Sequence, residues 1–178
     1  YKRQVLDAVE GLHAQDLKIA ALAWEAGRGL IVVVNKWDLK EKDDKTAPHF
    51  QKESAEKAPF LGFVPFLFTS AVTGQRVTRI LDDVLAVDEE RRKRIPTSEV
   101  NETLKALLAR RQPPQAAGRD VRLNYATQVE VAPPVIAVFG NHPELVQEHY
   151  VRYLHNGFRA AWGFTGSPLR VVMRGKAA

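Results

Sequence analysis

The sequence contains no cysteine, which excludes disulfides and cysteine-ligated metals. No apolar stretch approaches the roughly 18 residues of a membrane-spanning helix, and no secretory signal is visible. The expectation is a soluble, cytoplasmic protein that does not meet a membrane. There is no G-x-x-x-x-G-K-[ST] segment, so no loop within these residues is built to cradle β- and γ-phosphates or to place a hydroxyl on Mg2+. No D-x-x-G segment precedes Val5 either. His13, His49, His142, His149 and His155 are scattered without metal-ligand spacing. The acidic runs Asp82-Asp83 and Asp88-Glu89-Glu90 read as solvated helix faces, because no expected strand end or cleft presents them as a catalytic pair. No catalytic residue and no metal ligand is assigned.

What is present is a 178-residue chain with 45% hydrophobic residues, an ordinary globular composition long enough for one large or two small domains. The net charge of +5 is uneven: residues 1–94 carry 16 basic and 15 acidic side chains, residues 95–178 carry 10 and 6. The second half is therefore the better candidate for an anionic partner such as RNA.

Periodicity divides the chain at Ile95-Pro96, because a proline biases the residue before it away from helix. Residues 1–94 read as a strand end at 5–8, a helix over 15–26 with Ile19, Leu22, Ala23 and Ala26 inward, and a buried strand through Leu30-Ile31-Val32-Val33-Val34. A charged loop at 40–45, a helix ending near Pro59, a strand over 63–69 and a helix over 75–92 follow. Val77, Ile80, Leu81, Val84 and Leu85 form the inward stripe of that last helix. The alternation of strands and helices argues a parallel sheet with flanking helices. Residues 95–178 read as α-β-β-α-β. A helix starts at Thr97 or Ser98 with Val100, Leu104, Leu107 and Leu108 inward, and strands follow at 121–131 and 135–139. Then come a helix from Pro143 with Tyr150, Leu154 and Phe158 on its stripe and a strand over 169–173.

The sharpest chemical signal is Asn35-Lys36-Trp37-Asp38 directly behind the buried strand. A carboxylate held there can accept two hydrogen bonds from the N1–H and exocyclic amine of guanine, whereas adenine presents an acceptor at that edge and leaves the carboxylate unpaired. A second strand end, Phe66-Leu67-Phe68-Thr69 running into Ser70-Ala71, offers a small residue where backbone can approach a ligand. Trp24 and Trp162 sit beside apolar helix positions and read as core, and Trp37 reads as packing its own loop.

These two strand ends resemble the N-K-x-D and S-A motifs of translation-factor-like GTPases. The resemblance implies that Asp38 binds the guanine amine edge, that Asn35 ties the motif to the phosphate-binding half of such a domain, and that the Lys36 stem lies over the ring. It further implies that the Ala71 N–H meets the guanine O6 while Ser70 braces the loop. In the second half, Arg122-Leu123-Asn124-Tyr125-Ala126-Thr127-Gln128, Pro133-Pro134, Arg152-Tyr153-Leu154 and Gly163-Phe164-Thr165-Gly166-Ser167-Pro168-Leu169-Arg170 resemble the KH-like C-terminal domain of the EngA (Der) family. That family consists of bacterial GTPases with two consecutive G domains ahead of the KH-like domain. Glu10-Gly11, Gln15-Asp16 and Trp24-Glu25-Ala26-Gly27 extend the resemblance into the second G domain, and Tyr1 to Gln4 depart from it.

The implied fold is α/β: the C-terminal part of a P-loop-type GTPase domain over 1–94, followed by an α+β KH-like domain over 95–178. The implied function is a GTP-binding factor in large-ribosomal-subunit assembly, with GTP or GDP as ligand and Mg2+ needed only by an intact parent that hydrolyses GTP. The segment itself is expected to be inactive. Implied partners are rRNA of the large subunit and a first G domain. The competing reading is a stand-alone RNA- or protein-binding module with a vestigial nucleotide site. Gly163-Phe164-Thr165-Gly166 matches the G-x-x-G text of a KH clamp but links a helix to the final strand, so it reads as a turn. Arg91-Arg92-Lys93-Arg94 reads as favourable charge at a helix C-terminus, with phosphate contact as the alternative. Arg170, Arg174 and Lys176, at same-face spacing, are the candidate RNA-contacting stripe.

Overall fold

In a computed structural model, the structure describes residues 2–41, 43 and 45–175, the side chains of residues 2–4 excepted. The chain divides into two compact units. Unit 1 is Tyr1–Arg91 with Phe164–Pro168, and unit 2 is Arg92–Gly163 with Leu169–Ala178. The division thus falls slightly before the boundary expected at residue 95, and a short late segment joins the first unit.

Unit 1 holds strands β1 (Lys2–Asp7), β2 (Leu30–Asn35) and β3 (Phe66–Phe68) with helices α1 (Ala14–Glu25), α2 (Thr46–Lys57) and α3 (Arg79–Arg92). Its sheet is parallel throughout, in the order β1-β2-β3. The central strand Leu-Ile-Val-Val-Val is buried on both faces, as continuous aliphatic runs in parallel sheets are. One face packs Leu6, Val32, Val34 and Phe68 with Trp37, Phe50 and Leu61. The other packs Ile31 and Val33 against Val87, Ile80 and Val84 of α3.

Several expected boundaries and faces move. Lys2–Gln4, whose polarity set them outside the pattern, continue β1 in register with Leu30, Ile31 and Val32. The strand at 63–69 shortens to Phe66–Phe68 because Pro59–Phe63 forms a 3-10 turn. α3 begins at Arg79 instead of residue 75, since Gly74 and Arg76 adopt positive φ that a helix cannot contain. Its inward stripe is Ile80, Val84 and Val87, so Leu81 and Leu85 lie outside, at 62% and 63% exposure. In α1 the buried residues are Ala20 and Ala23, while Ile19 and Leu22 are exposed.

Unit 2 runs α4 (Thr97–Arg110), β4 (Leu123–Glu130), β5 (Val135–Gly140), α5 (Glu148–Trp162) and β6 (Arg170–Gly175). The sheet order is β4-β5-β6, with β4 antiparallel and β6 parallel to β5. Val100, Leu104 and Leu107 of α4 and Tyr150, Leu154, Phe158 and Trp162 of α5 are buried. The helix expected from Pro143 is split: Pro143–Leu145 forms a 3-10 turn, and extended backbone at Val146 and Gln147 precedes α5.

Polar ends are satisfied within this unit. The Tyr150 and Tyr153 hydroxyls donate to the carbonyls of Arg111 and Leu107, at 2.6 and 2.8 Å, at the C-terminal end of α4, where Leu107 O also accepts from the Arg111 N–H. Asn101 bonds both the N–H and the C=O of Ala126, covering edge groups that β4 would otherwise expose. Gln128, almost fully buried, accepts from the Ile95 N–H and donates to the Lys93 and Glu130 carbonyls, fastening residues 93–95 to β4.

Candidate guanine-binding site

Parallel pairing brings the C-terminal ends of β1, β2 and β3 to one edge of the sheet, where open α/β sheets receive ligands. Backbone bonds carry the ladder past the strands. Ala8 N–H donates to Asn35 O at 2.8 Å, Thr69 N–H to Val34 O at 2.8 Å and Trp37 N–H to Thr69 O at 3.0 Å. The loops after all three strands are thereby locked to one another.

Lys36 takes the left-handed conformation, φ 60° and ψ 32°, which turns the chain sharply after Asn35. The turn drives Trp37 inward, where its ring lies 4.3 Å from that of Phe68 and is buried. Asp38 follows in a single 3-10 turn, Trp37–Leu39. Its Oδ1 is buried and has no hydrogen-bond partner among the described residues. An unpaired buried carboxylate oxygen costs free energy, and the described residues supply no donor for this one.

Asn35 Oδ1 accepts from the Ala71 N–H at 3.0 Å and lies 3.5 Å from Thr69 Oγ1. The resemblance gives Asn35 a tie to a phosphate-binding half; in this structure its side-chain oxygen joins the loop after β2 to the loop after β3. For the same reason the Ala71 N–H, expected to meet O6, is engaged with Asn35, and a ligand carbonyl would have to share it. Ser70 is fully buried, accepts from the Thr73 N–H at 3.1 Å and gives its own N–H to Gln75 O, bracing the loop.

Lys36 Nζ lies 2.6 Å from Asp7 Oδ2. The hydrogen bond from Lys36, then that from the Val9 N–H, holds the Asp7 carboxyl below its ordinary range, and Asp7 raises Lys36. Sequence reading missed Asp7; the signal was its place at the end of the strand beside the motif. Among the described residues no group of three His, Asp or Glu side chains could hold a metal ion.

The candidate RNA-contacting arginines are exposed, and both stand on one face of β6, opposite Val135 and Phe139 of β5. Tyr125 is on the same face, its ring 5.7 Å from that of Phe139. Lys176 lies outside the described residues. Gly163 caps α5 with φ 78°, and the Gly166 N–H donates to Phe63 O inside unit 1 at 2.7 Å while its carbonyl accepts from Leu30. The Thr165 N–H is taken by Glu90. The amides at Thr165 and Gly166 that a G-x-x-G clamp would turn to a nucleic-acid backbone are thus in use.

Two family models divide the sequence at nearly the same place. The Elongation factor Tu GTP binding domain matches residues 4–90, and the KH-domain-like of EngA bacterial GTPase enzymes, C-terminal, matches residues 94–174. The chain belongs to the EngA (Der) family. Within it, GTPase Der of Gemmatimonas aurantiaca is 69% identical over 97% of this chain and 40% of that protein. GTPase Der of Desulfitobacterium hafniense is 47% identical over 97% of this chain and 39% of its own length. The chain therefore spans about two fifths of the length of the curated relatives it matches. Among solved structures it aligns with Aquifex aeolicus Era bound to GDP.AlF4-, at 16% identity over 97% of this chain and 64% of that one, with a TM-score of 0.41. In this EngA-family chain, no helix of the described residues is long and apolar enough to cross a membrane.

Proposed function

We propose that residues 1–94 are the guanine-reading part of a second G domain and residues 95–178 a KH-like domain, within a GTP-hydrolysing protein that acts in assembly of the large ribosomal subunit. The observation that carries the reading is the buried, partnerless Oδ1 of Asp38 at the end of a parallel strand, beside a loop that Asn35 holds in place. Asp38 would take the guanine amine edge, with Asn35, Lys36, Ser70 and Ala71 forming its surround. GTP and GDP are the ligands; Mg2+ and the phosphates would be held by residues other than these.

Val5, Leu81 and Leu85, each at least 60% exposed, are apolar side chains that further parts of a G domain would cover. The exposed pair Arg170 and Arg174 supports contact with rRNA through phosphates, and a first G domain is the other expected neighbour. A phosphate-release assay tests the whole reading. The full-length protein that carries this sequence should hydrolyse GTP, and the 178-residue chain alone should not. Turnover by the chain alone that Asp38→Ala abolishes would overturn the division of labour proposed.

A further inference from the structure

Lys36 is anchored at both ends: its backbone by the left-handed turn, its ammonium by Asp7 Oδ2 at 2.6 Å. Of the two partners, Asp7 is the fixed one. It stands opposite Asn35 in the β1–β2 register, its Oδ1 accepts from the Val9 N–H at 2.8 Å, and its carbonyl accepts from the Gly11 N–H at 2.9 Å. Its side chain is 19% exposed against 54% for Lys36. A flexible lysine stem this exposed samples many rotamers unless its head group is held. Lys40 reaches the same strand end, its Nζ 3.3 Å from Ala8 O. Two lysines from the loop after β2 thus hold the last residue of β1 and the residue that follows it.

We propose that Asp7 is a positioning residue for guanine nucleotide: by holding the Lys36 ammonium it stretches the methylene stem beside Asp38, so that the base meets an ordered apolar rail instead of a mobile chain. The inference rests on the guanine reading of Asp38 given above. Asp7 touches no base edge in this scheme, so it should affect affinity for the ring and leave the choice between guanine and xanthine alone.

The test measures GDP affinity in the full-length protein that carries this sequence, with Asp7→Asn, Lys36→Ala and the double variant. Asp7→Asn keeps an acceptor for Val9 and removes the charge. It should weaken GDP about three- to tenfold, and the double variant should bind no worse than Lys36→Ala alone, because residues acting through one contact are non-additive. A surface ion pair of purely structural worth would lower the melting temperature and leave GDP affinity unchanged. That result, or losses that simply add, overturns the proposal. Should Asp7→Asn fail to fold, Asp7→Ser retains an oxygen acceptor and carries the same expectations. Asp38→Asn in the same protein separates the two readings. If it moves preference from GDP to XDP while the Asp7 and Lys36 losses add, the positioning role falls and the guanine site stands; if preference does not move, both fall.

Discussion

Replacing Asp38 by asparagine should move nucleotide preference from GTP toward XTP. Guanine offers two donors to the carboxylate, and a hydrogen bond to a charged group contributes about 1.5–3 kcal/mol. Asparagine keeps one acceptor oxygen and turns its amide donors toward the other guanine donor, so the loss is about 3 kcal/mol, or roughly a hundredfold in GTP affinity. Xanthine carries a carbonyl where guanine has its amine and gains a matching donor. The ratio of affinities should therefore swing by about a thousandfold or more. Competition binding of GTP and XTP to the full-length protein reads both terms at once. The structure adds a control. Because Oδ1 of Asp38 is buried without a partner among the described residues, Asp38→Ala should abolish binding while leaving the unliganded fold as stable as before, or more so by about 1 kcal/mol. An unchanged GTP preference in the asparagine variant, or a stability loss in the alanine variant that accounts for all lost binding, would remove Asp38 from the base site.

Gln128→Leu would leave the Ile95 N–H and the carbonyls of Lys93 and Glu130 without their amide partner, and should cost about 2–4 kcal/mol in urea unfolding. For Tyr150, burial first, then Tyr153, pushes the phenol up from 10.0 to about 12. Its folded value is the raised one, so stability present below pH 10 should fall away as pH climbs from 10 toward 12, and Tyr150→Phe should abolish that slope. If unit 2 meets RNA through phosphates, affinity should fall steeply with salt and vary little with sequence. Replacing Arg170 and Arg174 with glutamine should then reduce the log–log salt slope by about 1.4–1.8 for two lost contacts. Tight, salt-insensitive binding to one RNA sequence would make the domain a base reader instead.

Local sequence determined what local chemistry can determine. A run of five aliphatic residues, four of them β-branched and preceded by Gly27 and Gly29, reads as a strand buried on both faces, and a polar motif directly behind it then stands at the strand's end; both follow without tertiary knowledge. The order of elements in the second half was equally legible, because turn residues and period changes are local signals. Helix faces were less so. Val77, Ile80, Leu81, Val84 and Leu85 form a stripe too broad for a single contact, and only packing against Ile31 and Val33 selected Ile80 and Val84 from it and added Val87. Contacts between residues far apart in the chain had no signal to read. Parallel register set Asp7 opposite Asn35 and so within reach of Lys36, and folding placed the Ala71 amide on Asn35. Gly166 became part of the first unit because its carbonyl and amide complete the bonding of Leu30 and Phe63, groups whose need for partners is invisible until the sheet exists. The proposed base reader lies in four consecutive letters, but the geometry of its loops depends on these long-range bonds.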